Sequence, residues 1–366
     1  ALISLSDLND NRMRKAKSGN WFSSEPQRAL ANNSVCYQHR PDFSEFLEEM
    51  CSLHESRAGE RGIFSRAAAK NIVERNGRRD SSFLWGTNPC SEIILRSNQF
   101  CNLSEIVVRA DDDLASLKNK AEIAAILGTL QATLVDFRYL RAIWKRNTEE
   151  EALLGVSLTG IMDHYLLGKN SPDLEKWLTE IRDVAIATNK KWAAKLGINQ
   201  ATAVTAVKPS GTVSQLVDSA SGIHPRYAAQ YIRTVRSDRK DPLAIFMIDQ
   251  GFPYEPDVAS AEGLVFSFPI TSPEGSVTVS DVCALDQLEL WKSYQDHWCE
   301  HKPSITVAYL DDEFLDICSW IWKNFDICSG IALLPYSNHV YAQAPYQEST
   351  DEELKELRDR MPKNVD

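Results

Sequence analysis

Apolar residues recur at helical spacing in three stretches of the chain. After Pro41, the residues Phe43, Phe46, Leu47 and Met50 fall on one face, Asp42 is placed to cap the first turn, Glu45 completes a capping box, and the stretch ends in the polar run 56–62. A second helix is predicted over about 115–140. A third is opened by Ser171 and Pro172, carries Leu174, Trp177, Leu178, Ile181, Ala185 and Thr188 on one face, and stops at Gly197. Short β-rich runs lie at 202–207, 264–268, 304–307 and 331–334, each flanked by Pro, Gly or a helical pattern. Short strands alternating with amphipathic helices predict an α/β fold, and the pattern does not choose between an open sheet and a barrel. The charge-rich stretches 148–151 and 351–360 are predicted to be solvated helix surfaces, the second with Glu-to-Arg pairs at helical spacing. No internal repeat or low-complexity segment interrupts this plan.

With 366 residues, 43% of them apolar and 9% aromatic, the chain can bury a large core. Its 40 basic and 51 acidic residues leave a net charge of −11, which argues against a direct nucleic-acid binder and makes the nine tryptophans core filler rather than a stacking platform for bases. There is no apolar run of membrane-spanning length and no signal-peptide pattern, so a cytoplasmic location is expected. The eight cysteines lack the dense spacing of a disulfide scaffold, so most are expected to be reduced and buried. The chain begins with Ala1 and opens as if mid-domain, which predicts a fragment.

Three motifs carry candidate chemistry. Asn88-Pro89-Cys90-Ser91-Glu92-Ile93 is answered at once by Cys101-Asn102-Leu103-Ser104-Glu105-Ile106, placing two thiols and a carboxylate close together. Pro89 disfavours a regular helix or a central strand there, so Cys90 is expected on a shaped loop. A cysteine in a turn is more often a small buried hydrophobe, but the neighbouring acid and amide suit a thiol that takes a hydrogen atom beside a base. Lys208-Pro209-Ser210-Gly211-Thr212-Val213-Ser214 follows a β-rich run and can open a helix whose backbone N–H groups face a phosphate, or be a strand-to-helix turn only. His297-Trp298-Cys299-Glu300-His301 invites a metal, but on a helix Cys299 points away from the two imidazoles and no second cluster completes four ligands, so no metal is expected.

The pair of cysteine motifs resembles the radical loop of ribonucleotide reductases, and the short gap from Cys90 to Cys101 resembles the monomeric adenosylcobalamin-dependent branch, which reduces ribonucleoside triphosphates. Further resemblance runs from 21–36 and 59–66 through 208–214 with 219–225, and 298–307, to 333–335 with 341–346. It implies a partial ten-stranded α/β barrel of the reductase type with a central radical-bearing finger loop. The loop would lie at about 86–106, the second half-barrel at about 107–346 and a helical C-terminal segment at 347–366.

By the same resemblance, Cys90 removes the 3′ hydrogen of the ribonucleotide, Glu92 deprotonates the 3′ hydroxyl, and Asn88 bonds the substrate or holds Glu92. Cys101 is one thiol of the reducing pair, and Ser210, Gly211, Thr212, Val213 and Ser214 hold the substrate phosphates. The implied cofactor is adenosylcobalamin, although no cobalamin-binding motif is readable. The implied partners are thioredoxin or a similar dithiol and, in the full-length protein, a nucleotide effector. A monomer without membrane or nucleic-acid partners is expected. The second thiol of the pair and the thiols that accept electrons from thioredoxin are expected outside these residues, so the 366 residues alone are not expected to turn over. Ser91 departs from the family pattern, which often has glycine there. Two other readings stay open: a reductase of another class that uses diphosphates, and a non-catalytic barrel remnant that binds a thiol or a metal.

Overall fold

The computed structural model describes residues 2–258, 260–336 and 343–365, without the side chains of residues 22, 23, 29 and 30. In chain order the strands are β1 (Leu2–Ser6), β2 (Ala31–Tyr37), β3 (Gly62–Ser65), β4 (Gly86–Thr87), β5 (Ile94–Leu95), β6 (Asn102–Val107), β7 (Leu154–Thr159), β8 (Gln230–Asp238), β9 (Tyr254–Pro256), β10 (Gly263–Thr271), β11 (Ile305–Tyr309), β12 (Ile331–Pro335) and β13 (Tyr346–Glu348). Two compact units result: Ala1–His224 with Val282–Tyr336, and Pro225–Asp281 with Ser337–Asp366.

The first unit is a run of mostly parallel strands under helices. β1, β2 and β3 are parallel neighbours, β12 joins β3 in the antiparallel sense at Ile331↔Ile63, and β11 lies parallel to β12. Beyond β11, the segment 203–207 continues the series through parallel bridges Val207↔Pro303 and Val156↔Thr205, the latter reaching β7, which pairs with β6. Ala203, Val204, Thr205, Ala206 and Val207 are all buried, as are all six residues of β7. Strands covered on both faces lose the in-out alternation of an exposed sheet, which is why the run 202–207 reads as a continuous small-residue stretch.

The covering helices largely follow the sequence. Phe43–Ser56 carries the expected capping box of Asp42 and Glu45, and buries Phe46, Met50 and Leu53, while Phe43 is exposed and meets Trp322 edge-on at 5.1 Å. Pro172–Leu196 is capped by Ser171 and closed by Gly197 at φ +68°, as its pattern predicts. The helix expected over 115–140 is shorter, Leu114–Gln131. Two β-branched residues follow, and Thr133 turns its hydroxyl back onto the Leu130 carbonyl at 2.7 Å while the chain enters turn hydrogen bonds.

The stretch 148–151 is a solvated helix surface only at Glu149 and Glu150. It ends the helix Ala142–Glu151, and Thr148 and Glu151 are buried, because Arg79 follows Glu151 inside. The run 331–334 is β12, and the expected barrel strand at 304–307 is β11.

The second unit is an antiparallel sheet in the order β13-β8-β10-β9, with a core of Ala244, Leu264 and Phe266. The β-rich run 264–268 therefore lies in β10, outside the parallel series. Of the stretch 341–346, residues 341 and 342 lie outside the described residues, and Tyr346 opens β13. The helix Asp351–Arg360 is capped by Thr350 and buries only Leu354 and Leu357, so its charges are solvated as predicted.

Candidate active site

β4 and β5 pair through Gly86↔Leu95 and Thr87↔Ile94 and form a short hairpin that presents residues 88–93. Asn88 holds this loop together: its Oδ1 accepts from the Ile93 N–H at 2.9 Å, and its carbonyl accepts from the Ser91 N–H at 2.9 Å. Ser91 sits at φ +66°, the left-handed region that glycine occupies without strain. The segment before β11 grips the loop by its backbone. The Lys302 N–H donates to the Glu92 carbonyl at 3.0 Å, and Ser304 Oγ donates to the Cys90 carbonyl at 2.6 Å.

Glu92 is completely buried, with Oε1 at 3.5 Å from Lys208 Nζ and Oε2 accepting no hydrogen bond among the described residues. The same Nζ lies 3.9 Å from Cys90 Sγ. Burial, and after it the charge of Glu92, pushes the Cys90 thiol up, and the same two causes push Cys101 to about 12. Both thiols are thus held protonated at neutral pH, the form that can give up a hydrogen atom. Burial works against the Lys208 ammonium, but Glu92 and then Cys90 outweigh it and raise its pKa. Asn88, Cys90 and Glu92 therefore share one loop, with Cys101 and Lys208 in the same electrostatic neighbourhood.

The loop after Val207 begins at Lys208, over which Gly222 passes at φ +56°; a Cβ at that position would lie 2.3 Å from the Lys208 carbonyl oxygen, so only glycine fits. Ser210 is buried and donates to Glu105 Oε2 at 2.9 Å, while Ser214 donates to the Ser210 carbonyl. These two serines build the turn, and Gly211, Thr212 and Val213 are exposed where the short helix Thr212–Leu216 begins.

Cys90 also borders a cleft of about 310 Å³. Pro89, Ser91, Asn32, Ser34, Ser304 and Thr306 share its wall, whereas Asn88, Glu92 and Cys101 do not. The thiol therefore stands between two environments, a hydrogen-bonding cleft in which Glu60, paired with Lys17, is the one ionisable side chain besides Cys90 among the described residues, and a cluster of acid, amine and second thiol.

The segment 297–301 is occupied with structural bonds. His301 is buried, with Nε2 2.9 Å from the Leu154 carbonyl oxygen and Nδ1 accepting from the Ile94 N–H, and Glu300 pairs with Arg78 at 2.6 Å. Among the described residues no three His, Cys, Asp or Glu side chains are placed to share a metal ion.

Two lysines were given no role by sequence reasoning. Lys208 heads a motif whose serines and glycine drew the attention. Lys302 is a charged residue within an otherwise inward-facing β-rich segment, a signal that could have marked it. It is fully buried, and burial carries its pKa from 10.5 down to about 7.

This sets a pH dependence with a definite sign. Between about 7 and 10.5 the unfolded chain binds a proton at Lys302 that the folded chain has released, so stability rises with pH across that window, by up to roughly 1.4 kcal/mol per unit. Lys302→Met is expected to remove this slope from urea midpoints measured at pH 7 and pH 9.

No family model matches the chain. It is 25% identical over 350 residues to the adenosylcobalamin-dependent ribonucleoside-triphosphate reductase of Levilactobacillus brevis, a match covering 87% of this chain and 46% of that protein. The Euglena gracilis protein of the same name is 26% identical over 357 residues, covering 94% of this chain and 47% of its own length. The chain thus spans about half the length of the curated relatives it matches. Among solved structures, the crystal structure of a B12-dependent, class II ribonucleotide reductase matches with a TM-score of 0.80 at 23% identity, over 99% of this chain and 54% of that one. The alpha subunit of the Actinobacillus ureae class Id reductase matches with 0.61 at 13% identity, over 92% and 70%. In sequence the chain is similar, over most of its length, to proteins named adenosylcobalamin-dependent ribonucleoside-triphosphate reductases, and it shares the α/β fold of a class II ribonucleotide reductase.

Proposed function

We propose that the chain forms part of the catalytic barrel of an adenosylcobalamin-dependent ribonucleoside-triphosphate reductase. The observation that carries this reading is the position of Cys90, on a finger-like loop between the hydrogen-bonding cleft and the buried Glu92 with Lys208. The strand series fits eight members of a ten-stranded barrel: β1 to β3 in one half, and β6, β7, the segment 203–207, β11 and β12 in the other, with the antiparallel join of β3 and β12 between the halves.

On the substrate side, the Cys90 radical takes the 3′ hydrogen while Glu92, whose Oε2 is free to accept, takes the 3′-hydroxyl proton, and water leaves from the 2′ carbon. Asn88 keeps the loop in shape through the Ile93 N–H, and Cys101 returns reducing equivalents as one thiol of a pair. The exposed backbone of Gly211, Thr212 and Val213, set by Ser210 and Ser214, holds the phosphates. On the other side, Asn32, Ser34, Ser304 and Thr306 suit an uncharged sugar, and they would hold the nucleoside part of the cofactor next to Cys90. Adenosylcobalamin, when bound, supplies the radical equivalent that oxidises the thiol. Thioredoxin or another dithiol is the reductant, a nucleotide effector acts on the full-length protein, and the enzyme is a cytoplasmic monomer. Among the described residues no helix is long and apolar enough to cross a membrane.

The test is reduction of ribonucleoside triphosphates by the full-length protein with adenosylcobalamin and a dithiol. Deoxynucleotide formed only with cobalamin supports the reading; formation without it moves the protein to another reductase class, and none from folded protein overturns it. Lys208→Met, which leaves buried Glu92 without its facing positive charge, is expected to lower kcat about 10²-fold, the scale of a misadjusted general base, with partial recovery as pH is raised. A kcat within twofold of wild type would remove Lys208 from the site.

A further inference from the structure

A lysine side chain buried without solvent is costly, and a methionine would fill the same volume without desolvating a charge. The surroundings of Lys302 show what its Nζ is used for. Its Nζ donates to the Ser329 carbonyl at 2.8 Å and to Ser91 Oγ at 3.1 Å, has Thr87 Oγ1 at 3.5 Å, and lies 4.6 Å from the centre of the Phe64 ring.

Thr87 lies on one arm of the Cys90 hairpin and Ser91 on its turn, whereas Ser329 belongs to the segment just before β12. The next residue, Gly330, leaves room for the junction: a Cβ there would lie 2.9 Å from Ser91 Oγ and 3.2 Å from Lys302 Nζ. Ser91 holds a left-handed backbone conformation that glycine would adopt more easily, but glycine would offer no hydroxyl to Lys302 Nζ. A backbone disfavoured for serine and a side chain in use by a buried amine are two independent marks on one residue.

We propose that Lys302 is a positioning residue for Cys90: its amino group ties Thr87 and Ser91 to the β11–β12 strands and so fixes where the sulfur sits, with Ser91 Oγ as the acceptor through which the tie acts. Its importance for hydrogen transfer rests on the reductase reading, but the tie itself does not.

The experiment is alkylation of Cys90 by iodoacetamide in the full-length protein, followed by peptide mass spectrometry across pH so that limiting rates are compared. Cys51 and Cys283, both exposed and free, serve as internal references. Lys302→Met is expected to raise the limiting rate at Cys90 by about tenfold, the scale of losing a buried hydrogen bond from a local opening equilibrium, without changing the references. Ser91→Ala is expected to raise it by less and to add nothing in the Lys302→Met background, and Lys302→Gln, which keeps a donor, restores part of the protection.

An unchanged Cys90 rate in a folded Lys302→Met protein, equal acceleration at all three cysteines, or independent, multiplying effects of the two substitutions would each overturn the proposal. Reductase activity is assayed separately in the wild type: its absence would count against the proposed function and leave the labelling result standing.

Discussion

Cys90→Ser in the full-length protein is expected to reduce cobalamin-dependent deoxynucleotide formation to background while leaving the fold intact. The substitution changes one atom, and the contact that atom makes, with Lys208 Nζ at 3.9 Å, is one a hydroxyl oxygen can also accept. Asn88 closes the loop through the Ile93 and Ser91 backbone, Ser304 binds the Cys90 carbonyl rather than the sulfur, and Lys302 holds Ser91. The urea midpoint should therefore correspond to a change within about 0.5 kcal/mol, as for substitutions that break no buried network. What is lost is chemical. A hydroxyl holds its hydrogen too strongly to exchange it with a carbon-bound hydrogen, and no other thiol borders the same cleft. Cys101→Ser makes the useful contrast, since it should leave the first hydrogen transfer possible and stop the later reduction. Product measured by chromatography at several per cent of wild type from Cys90→Ser would mean that the hydrogen is taken by another group, and the assignment of the radical site would fail.

The parts of this arrangement that were legible in the sequence are those set by neighbours along the chain. Asp42 with Glu45, and Ser171 with Gly197, mark helix ends because capping is local, and both helices run as their patterns indicate. Pro89 places Cys90 on a loop for the same kind of reason. What was not legible depends on residues far apart. Glu151 reads as one of three consecutive acids on a solvated helix surface, and only the fold brings Arg79 and Gln99 onto it. The 202–207 run is visible as an extended stretch, but its place between β7 and β11 is a tertiary fact. Lys208 heads a motif and Lys302 interrupts a β-rich segment, but neither pattern assigns a role; each becomes meaningful through partners more than a hundred residues away.

Arg79→Met is expected to be the most destabilising of these substitutions, by about 3 kcal/mol, because it removes the two-pronged partner of the buried Glu151 carboxylate, which keeps only Arg96 at 3.7 Å and the Gln99 amide. Arg79 Nε lies 2.8 Å from Glu151 Oε1 and its Nη2 2.9 Å from Oε2, with both side chains almost wholly out of solvent. Burial tends to raise the Glu151 carboxyl, but the hydrogen bonds and charge of Arg79 outweigh it and hold the pKa below 4.5. The pair's contribution is therefore present above that value and is lost as pH falls through the lower, folded-state pKa. Replacing both residues, as Arg79→Met with Glu151→Leu, should recover part of the loss, since no carboxylate is left short of its partner and Arg96 keeps Glu150 at 2.6 Å. Urea midpoints of the two single variants and the double give the coupling directly, and additive losses would show that the pair does not act as a unit. The consequence reaches the site, because the Arg79 guanidinium also lies 4.4 Å from the Trp85 ring, next to β4, and Gln99, bonded to Glu151, stands two residues before Cys101. One buried pair thus holds the entry of the Cys90 hairpin and the approach to the second thiol, so in Arg79→Met the alkylation of Cys90 and Cys101 should accelerate at urea concentrations well below the global midpoint.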